Sequence, residues 1–110
     1  MLSVDPIVVQ SNCLIEDNVI LWSGNHIGHD TTIGCNSWIT SHVVIYSNVL
    51  IGNNSFIGSN VNIRDSLKVG KFNFIGAGSN VWKSSEAYSF FPVNQTKESM
   101  LNEKIMMDMI

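Results

Sequence analysis

The chain has 110 residues, of which 45% are hydrophobic and 14% charged, and its net charge is −3 at neutral pH. This size and composition predict one small folded domain and exclude a disordered chain. The acidic balance also excludes a general nucleic-acid-binding protein, because neutralising phosphates requires an excess of Lys and Arg. The six basic residues all follow residue 55, so a phosphate-bearing ligand is expected to bind the second half of the chain.

The first ten residues lack the basic and apolar regions of a secretion signal, and no apolar run reaches the ~20 residues that span a bilayer. We therefore expect a cytoplasmic protein with no membrane partner. Cys13 and Cys35 do not have the spacing of a metal motif. In a chain without a secretion signal, two such cysteines are expected to be free thiols.

An aliphatic residue recurs at every sixth position along most of the chain: Val9, Ile15, Leu21, Ile27, Ile33, Ile39, Ile45, Ile51, Ile57, Ile63, Val69, Ile75 and Val81. A period of six is a multiple of the strand period of two and does not fit an amphipathic helix. If the chain closes a coil after three hexads, each strand stacks on the strand 18 residues earlier and its backbone is paired. This pattern predicts an all-β parallel β-helix of about four coils (14–31, 32–49, 50–67 and 68–85), with the aliphatic residues pointing inward.

Two further patterns mark the corners and the end of the coil. Asn18, Asn36 and Asn54 recur at 18-residue spacing and predict corners, because Asn tolerates the left-handed backbone conformation; Phe72 interrupts this series. After residue 85 the hexads stop, and apolar residues four apart (Leu101, Ile105 and Met109) predict a short C-terminal helix. That helix would cap the open end of the β-helix, and the alternative is a frayed tail. We assign residues 1–85 to the β-helix and 86–110 to a loop and short helix of the same domain.

The motif [LIV]-G-x-x-x-x, in register over about residues 9–85, resembles the hexapeptide-repeat acyltransferases. Residues 21–30, 39–44 and 62–65 are similar to the β-helix half of sugar acetyltransferases of the sialic-acid O-acetyltransferase type. The resemblance implies a left-handed coil, a hand that the period alone does not determine. It also implies acetyl-CoA as co-substrate, no permanently bound cofactor, a sugar hydroxyl or amine as acceptor, and a homotrimer with active sites between subunits.

The resemblance also implies roles for individual residues. His29 matches the general base, with Asp30 as its acidic neighbour, whereas His26 and His42 are expected to be structural. An imidazole suits this role because it accepts a proton near neutral pH while an acceptor hydroxyl or ammonium attacks a thioester. The backbone N–H of Ser47 is the expected donor to the oxyanion. The expected pantetheine path follows Ser59, Gly76 and Ala77. Trp38, at a position where relatives carry a second His, is expected to contact the coenzyme, and Lys83 is expected to contact a CoA phosphate.

Several features keep alternatives open. Phe90-Phe91-Pro92 replaces the loop that follows the last coil in relatives, and the chain begins almost at the first coil, whereas such enzymes often have an N-terminal sugar-nucleotide domain. The alternative to an active enzyme is therefore a catalytically inactive trimeric scaffold or a truncated module. Histidines three and thirteen residues apart do not match the metal ligands of β-helix hydratases, so no metal site is expected. An outward apolar column is predicted to form the subunit interface: Ile20, Trp38, Phe56 and Phe74.

Overall fold

The computed structural model describes residues 5–93, and regular structure within this range is entirely β. Each hexad contributes one strand of two residues, which consists of an outward residue followed by the inward aliphatic. The strands in this part of the chain are β1 (Val8–Val9), β2 (Leu14–Ile15), β3 (Ile20–Leu21), β4 (His26–Ile27), β5 (Thr32–Ile33), β6 (Trp38–Ile39), β7 (Val44–Ile45), β8 (Leu50–Ile51), β9 (Phe56–Ile57), β10 (Asn62–Ile63), β11 (Lys68–Val69), β12 (Phe74–Ile75), β13 (Asn80–Val81) and β14 (Phe90–Phe91).

The strands stack into three parallel sheets, which form the three faces of the coil. We call the sheet β1-β4-β7-β10-β13 the histidine face, the sheet β3-β6-β9-β12-β14 the aromatic face, and the sheet β2-β5-β8-β11 the third face. Stacked strands pair residues 18 apart, as in Ile39 with Ile57. The prediction of an all-β, left-handed parallel β-helix is therefore confirmed. Residues 5–93 include no helix long and apolar enough to cross a membrane.

The stacking extends beyond the four predicted coils at both ends, to about five turns. At the start, Val8 of β1 pairs with His26 of β4. At the other end, Phe90 of β14 pairs with Phe74 of β12, so the last coil takes 16 residues instead of 18 and passes residue 85. The expected C-terminal helix lies outside the described residues.

The core is a set of aliphatic ladders in the middle of the coil. From β4 to β12 the inward aliphatic residues are at most 1% exposed, as their spacing predicted. Burial of each such side chain contributes ~2 kcal/mol, most of which is offset by lost chain entropy. Small polar residues near the corners also point inward, and their hydroxyls donate to carbonyls: Ser37 Oγ to Gly52 O and Ser55 Oγ to Gly70 O, both at 3.2 Å.

The corners have the left-handed backbone conformation that the asparagines predicted. Asn18, Asn36 and Asn54 have φ of 58°, 60° and 59°. Phe72 interrupts the series of asparagines but has the same left-handed backbone conformation, with a φ of 54°. Tyr88, in the next coil, has a φ of 64°. Their rings stack with centroids 5.2 Å apart. Coil closure therefore holds two bulky residues in a conformation that such side chains rarely adopt.

Candidate functional site

An open groove of about 500 Å³ lies on the histidine face and its following turn, a turn we call the histidine corner. Gly28 forms its floor, because a glycine there leaves a gap in the outward column between Gln10 and Tyr46. A Cβ at residue 28 would lie 1.9 Å from the main-chain oxygen of Tyr46, so the coils pack directly against each other here. The groove is lined by Gln10, His26, Gly28, His29, Val44, Tyr46, Ser47 and Asp65.

His29 and Asp30 form a hydrogen-bonded pair at the rim of this groove. His29 Nδ1 lies 2.8 Å from Asp30 Oδ2, and the side chains are 54% and 44% exposed. The other carboxylate oxygen of Asp30 accepts a hydrogen bond from Asn12 Nδ2. The bonds from His29 and then Asn12 lower the pKa of Asp30 below its usual 3.8. The carboxylate is therefore ionised at neutral pH and can only accept hydrogen bonds.

The pairing determines which ring nitrogen of His29 is basic. Because Asp30 accepts, Nδ1 must carry the proton, and in the neutral ring the lone pair is on Nε2. The main chain of His29 is held on both sides: its N–H donates to Gln10 Oε1 at 3.0 Å, and its carbonyl accepts the Asn48 N–H at 2.8 Å. The site therefore combines an oriented imidazole with an available basic nitrogen.

Ser47 occupies the histidine corner one coil after His29 and lines the same groove. At equivalent corner positions, side chains satisfy the backbone N–H groups of His29 and Cys35, through Gln10 and Asn53. No acceptor within residues 5–93 binds the Ser47 N–H. Ser47 and His29 therefore line one groove, and the Ser47 N–H has no acceptor in the described part of the chain.

The other predicted site residues are divided between two edges of the chain. Lys83 lies exposed on the histidine corner, two coils beyond Ser47. In contrast, Trp38 and Gly76 are outward residues of the aromatic face, and Ser59 and Ala77 lie in the turn that follows it. Within one chain the structure brings together His29, Asp30 and Ser47 and places Lys83 on the same corner, whereas Trp38, Ser59, Gly76 and Ala77 lie on another edge.

Small residues allow neighbouring coils to pack closely at the edge that bears Ser59, Gly76 and Ala77. A Cβ on Gly58 would lie 2.6 Å from Ala77 N, and one on Gly76 would lie 2.5 Å from Val93 N. Ser59 Oγ donates to Thr40 Oγ1 at 3.3 Å. Trp38 packs edge-on between Trp22 and Phe56, with ring centroids 5.5 and 5.4 Å away.

The structure also shows residues that support the His29–Asp30 pair and that the sequence analysis did not single out. Asn12 supports Asp30, and Gln10 holds the main chain of His29. The signal for Asn12 was present, because it precedes Asp30 by one coil of 18 residues. His42 pairs with Asp5 at 3.2 Å and lies in the turn after the aromatic face, outside the groove lining. Residues 5–93 contain no cluster of His, Cys, Asp and Glu that could hold a metal ion.

The hexad repeat of the coil matches a known repeat family over part of the chain. Residues 30–65 match the family described as bacterial transferase hexapeptide (six repeats). The hexapeptide repeat is thereby confirmed over these residues. No curated protein sequence matches the chain significantly.

Solved structures share the fold at low sequence identity. A mutant of perosamine N-acetyltransferase from Caulobacter crescentus, in complex with CoA and GDP-perosamine, is 17% identical with a TM-score of 0.57, over 76% of this chain and 49% of that one. Serine acetyltransferase isoform 3 from Entamoeba histolytica, in complex with cysteine, is 15% identical with a TM-score of 0.64, over 93% of this chain and 40% of that one. The chain thus spans about half the length, or less, of these neighbours, and the likeness establishes a shared fold.

Proposed function

We propose that this chain is an acetyl-CoA-dependent acetyltransferase that transfers the acetyl group directly to a sugar hydroxyl or amine. The observation that carries the proposal is the His29–Asp30 pair on an open groove beside the free N–H of Ser47. Two fold neighbours support the class: one is a sugar N-acetyltransferase bound to CoA and a nucleotide sugar, and the other is a serine acetyltransferase.

In the proposed reaction, His29 Nε2 removes a proton from the acceptor as its oxygen or nitrogen attacks the thioester carbonyl. The carbonyl oxygen becomes an oxyanion, and the Ser47 N–H is the donor for it. Collapse breaks the carbon–sulfur bond, and the proton on Nε2 passes to the leaving thiolate of CoA. Asp30 keeps the ring in position and stabilises the imidazolium that forms between the two steps.

The separation of the predicted site residues favours a site shared between subunits. We propose a homotrimer in which the edge bearing Trp38, Ser59, Gly76 and Ala77 of one subunit faces the histidine corner of the next. The aromatic face carries an apolar column suited to such contact: Ile20, Trp38, Phe74 and Phe90 are 49%, 37%, 40% and 69% exposed. An exposed stripe of this kind usually marks association. Acetyl-CoA would then run along the seam, with Lys83 near a phosphate, in a cytoplasmic enzyme.

The test is the variant His29→Asn, with His42→Asn as a matched control. Both histidines pair with an Asp and are about half exposed, but only His29 lines the groove. We expect His29→Asn to keep its fold and acetyl-CoA affinity and to lose ~10²- to 10⁴-fold in turnover, the usual contribution of a general base. The His42 variant should retain full turnover. A His29→Asn rate within about threefold of wild type would refute the role.

A catalytically inactive trimeric scaffold is the second candidate. The end of the coil favours it, because Phe90 and Phe91 form β14 on the aromatic face at the place where relatives carry a different loop. Isothermal titration calorimetry with acetyl-CoA separates the two functions. Binding favours the enzyme, whereas no binding and no transfer to any amino-sugar or hydroxyl acceptor favours the scaffold.

A further inference from the structure

Arg64 is an outward residue of the histidine face and is clamped between two aromatic rings. Its guanidinium carbon lies 5.1 Å from the centroid of Tyr46 and 4.8 Å from that of Trp82. The three side chains belong to successive coils of one column, so the clamp follows directly from the stacking register. Stacking on both sides holds the planar guanidinium in a defined orientation and reduces the entropy lost when it binds a ligand.

The charge of Arg64 is not neutralised in the described part of the chain. Within residues 5–93 the ion pairs are those of His29 with Asp30 and His42 with Asp5, and the guanidinium takes part in neither. Its N–H donors make no side-chain hydrogen bond in that range. A hollow of about 150 Å³ opens beside it, lined by Tyr46, Asn62, Arg64, Asn80 and Trp82.

The hollow carries a second set of donors. Asn62 Nδ2 donates to Asn80 Oδ1 at 3.1 Å, which orients both amides. Asn80 lines the hollow as well, and its amide nitrogen has no acceptor within residues 5–93. A fixed guanidinium fork together with an amide N–H₂ group matches the geometry of a carboxylate or a phosphate.

Tyr46 lines both this hollow and the groove that contains His29, so the two are adjacent. Arg64 lies two coils beyond the coil of His29, which places their backbones ~10 Å apart along the axis. Tyr46 lies in the coil between them and borders both spaces. A single monosaccharide with a charged substituent is long enough to touch both.

We propose that Arg64 binds a carboxylate or phosphate group of the acceptor and so selects acidic sugars over neutral ones. This inference rests on the proposed function and specifies its substrate class. The same sugar would present its reacting hydroxyl or amine to His29 Nε2 while its anion occupies the hollow between Tyr46 and Trp82.

The competing ligand for Arg64 is the diphosphate of the donor, and distance argues against it. An extended pantetheine arm separates the thioester from the diphosphate by ~15 Å, judged from ordinary bond lengths. Lys83 lies three coils beyond His29, at ~14 Å along the axis, which is close to this length. Arg64 lies only two coils beyond the coil of His29, which is too short a distance for the diphosphate. The diphosphate therefore fits the level of Lys83 and leaves Arg64 to the acceptor.

The sequence offers a direct probe, because Arg64 is the sole arginine among the 110 residues. Its side-chain Nε–H gives one nitrogen-15 NMR resonance that needs no assignment. We expect saturable shifts of that resonance with glucuronate or with glucose 6-phosphate, and none with glucose at the same concentration. Comparing the first two sugars distinguishes a carboxylate from a phosphate ligand. A resonance that moves only with CoA, or with none of these compounds, would overturn the proposal.

Kinetics provide the second arm, with wild type, Arg64→Gln, Arg64→Lys and the control Lys68→Gln on the third face. Loss of a charge-assisted hydrogen-bonded pair should raise KM for an acidic acceptor ~10- to 100-fold in Arg64→Gln, with acetyl-CoA affinity unchanged. Arg64→Lys should recover part of this loss, because it restores charge but not the fork. An equal rise in KM for acidic and neutral acceptors would contradict the inference.

The two proposals fail in different ways. If acetyl transfer is absent in wild type, the proposed function fails, and the NMR titration still reports on Arg64. A different set of results contradicts only the inference about Arg64. In that set, wild type transfers acetyl groups, His29→Asn loses transfer, and Arg64→Gln behaves as wild type toward acidic acceptors.

Discussion

The substitution Ile57→Ala tests the inward register of the coil most directly. Ile57 is fully buried and stacks between Ile39 and Ile75 in the aromatic face. The change removes about three carbon groups, which costs ~2.4 kcal/mol at ~0.8 kcal/mol for each buried CH₂. The remaining cavity adds to this cost, because hydrogen-bonded main chain surrounds the site and resists collapse. We expect a total loss of ~4 kcal/mol, within the ~2 to 5 kcal/mol typical of such truncations.

Urea denaturation at a fixed protomer concentration measures this loss, because association shifts apparent stability by mass action. Ile57→Val should lose ~0.5 to 1.5 kcal/mol, which gives a graded series at the same site. Leu50→Ala, an outward residue 43% exposed on the third face, should lose under ~1 kcal/mol. An Ile57→Ala loss as small as that of Leu50→Ala would show that residue 57 does not point inward and that the register is wrong.

Two further predictions concern assembly and ionisation. Phe56→Glu should yield monomers by light scattering, because it places a charge between Trp38 and Phe74, whose ring centroids lie 5.4 and 5.0 Å from that of Phe56. The control Leu50→Glu, on the third face, should stay trimeric. A trimeric Phe56→Glu variant would contradict the proposed interface. Asp30 should titrate below 3.8 by carboxyl carbon-13 NMR, and its midpoint should rise in His29→Asn, which removes the largest cause of the shift. Because the pKa of Asp30 is lowered in the folded state, the pair stabilises the fold above pH ~3.8 and loses this effect as pH falls through the folded pKa. A wild-type midpoint for Asp30 at or above 3.8 would show that the pair does not form.

The architecture was predictable because the period of the aliphatic residues is itself the geometry of the coil. Ile39, Ile57 and Ile75 are neighbours in space for the same reason that they are 18 apart in sequence. The corner at Phe72 was less predictable, since no local preference favours positive φ in a bulky residue. There the closure of neighbouring coils overrides the preference of the side chain.

The site was predictable in part. His29 and Asp30 are adjacent in sequence, and their pairing needs no long-range information. The groove needs Gly28 to leave a gap beneath Tyr46, and the Arg64 clamp needs three coils in register. Both depend on which residues stack, and this can be worked out by stepping 18 residues along the chain. In the proposed trimer, the contact between the edge bearing Ser59 and the groove would involve a second copy, which the pattern within one chain does not describe.

The three-hexad coil gives the fold and the site different tolerances to changes in chain length. An insertion of six residues between Asp30 and Ser47 would keep every aliphatic residue on an inward position, so the β-helix would still form. It would nevertheless advance all later residues by one face and carry Ser47 and Arg64 away from His29. An insertion of eighteen residues would return them to the same face, but one coil, ~4.8 Å, further from His29 along the axis. The fold therefore tolerates length changes in multiples of six residues, whereas the site also needs an unchanged number of coils between His29 and Arg64, so length changes that leave it intact lie outside that segment.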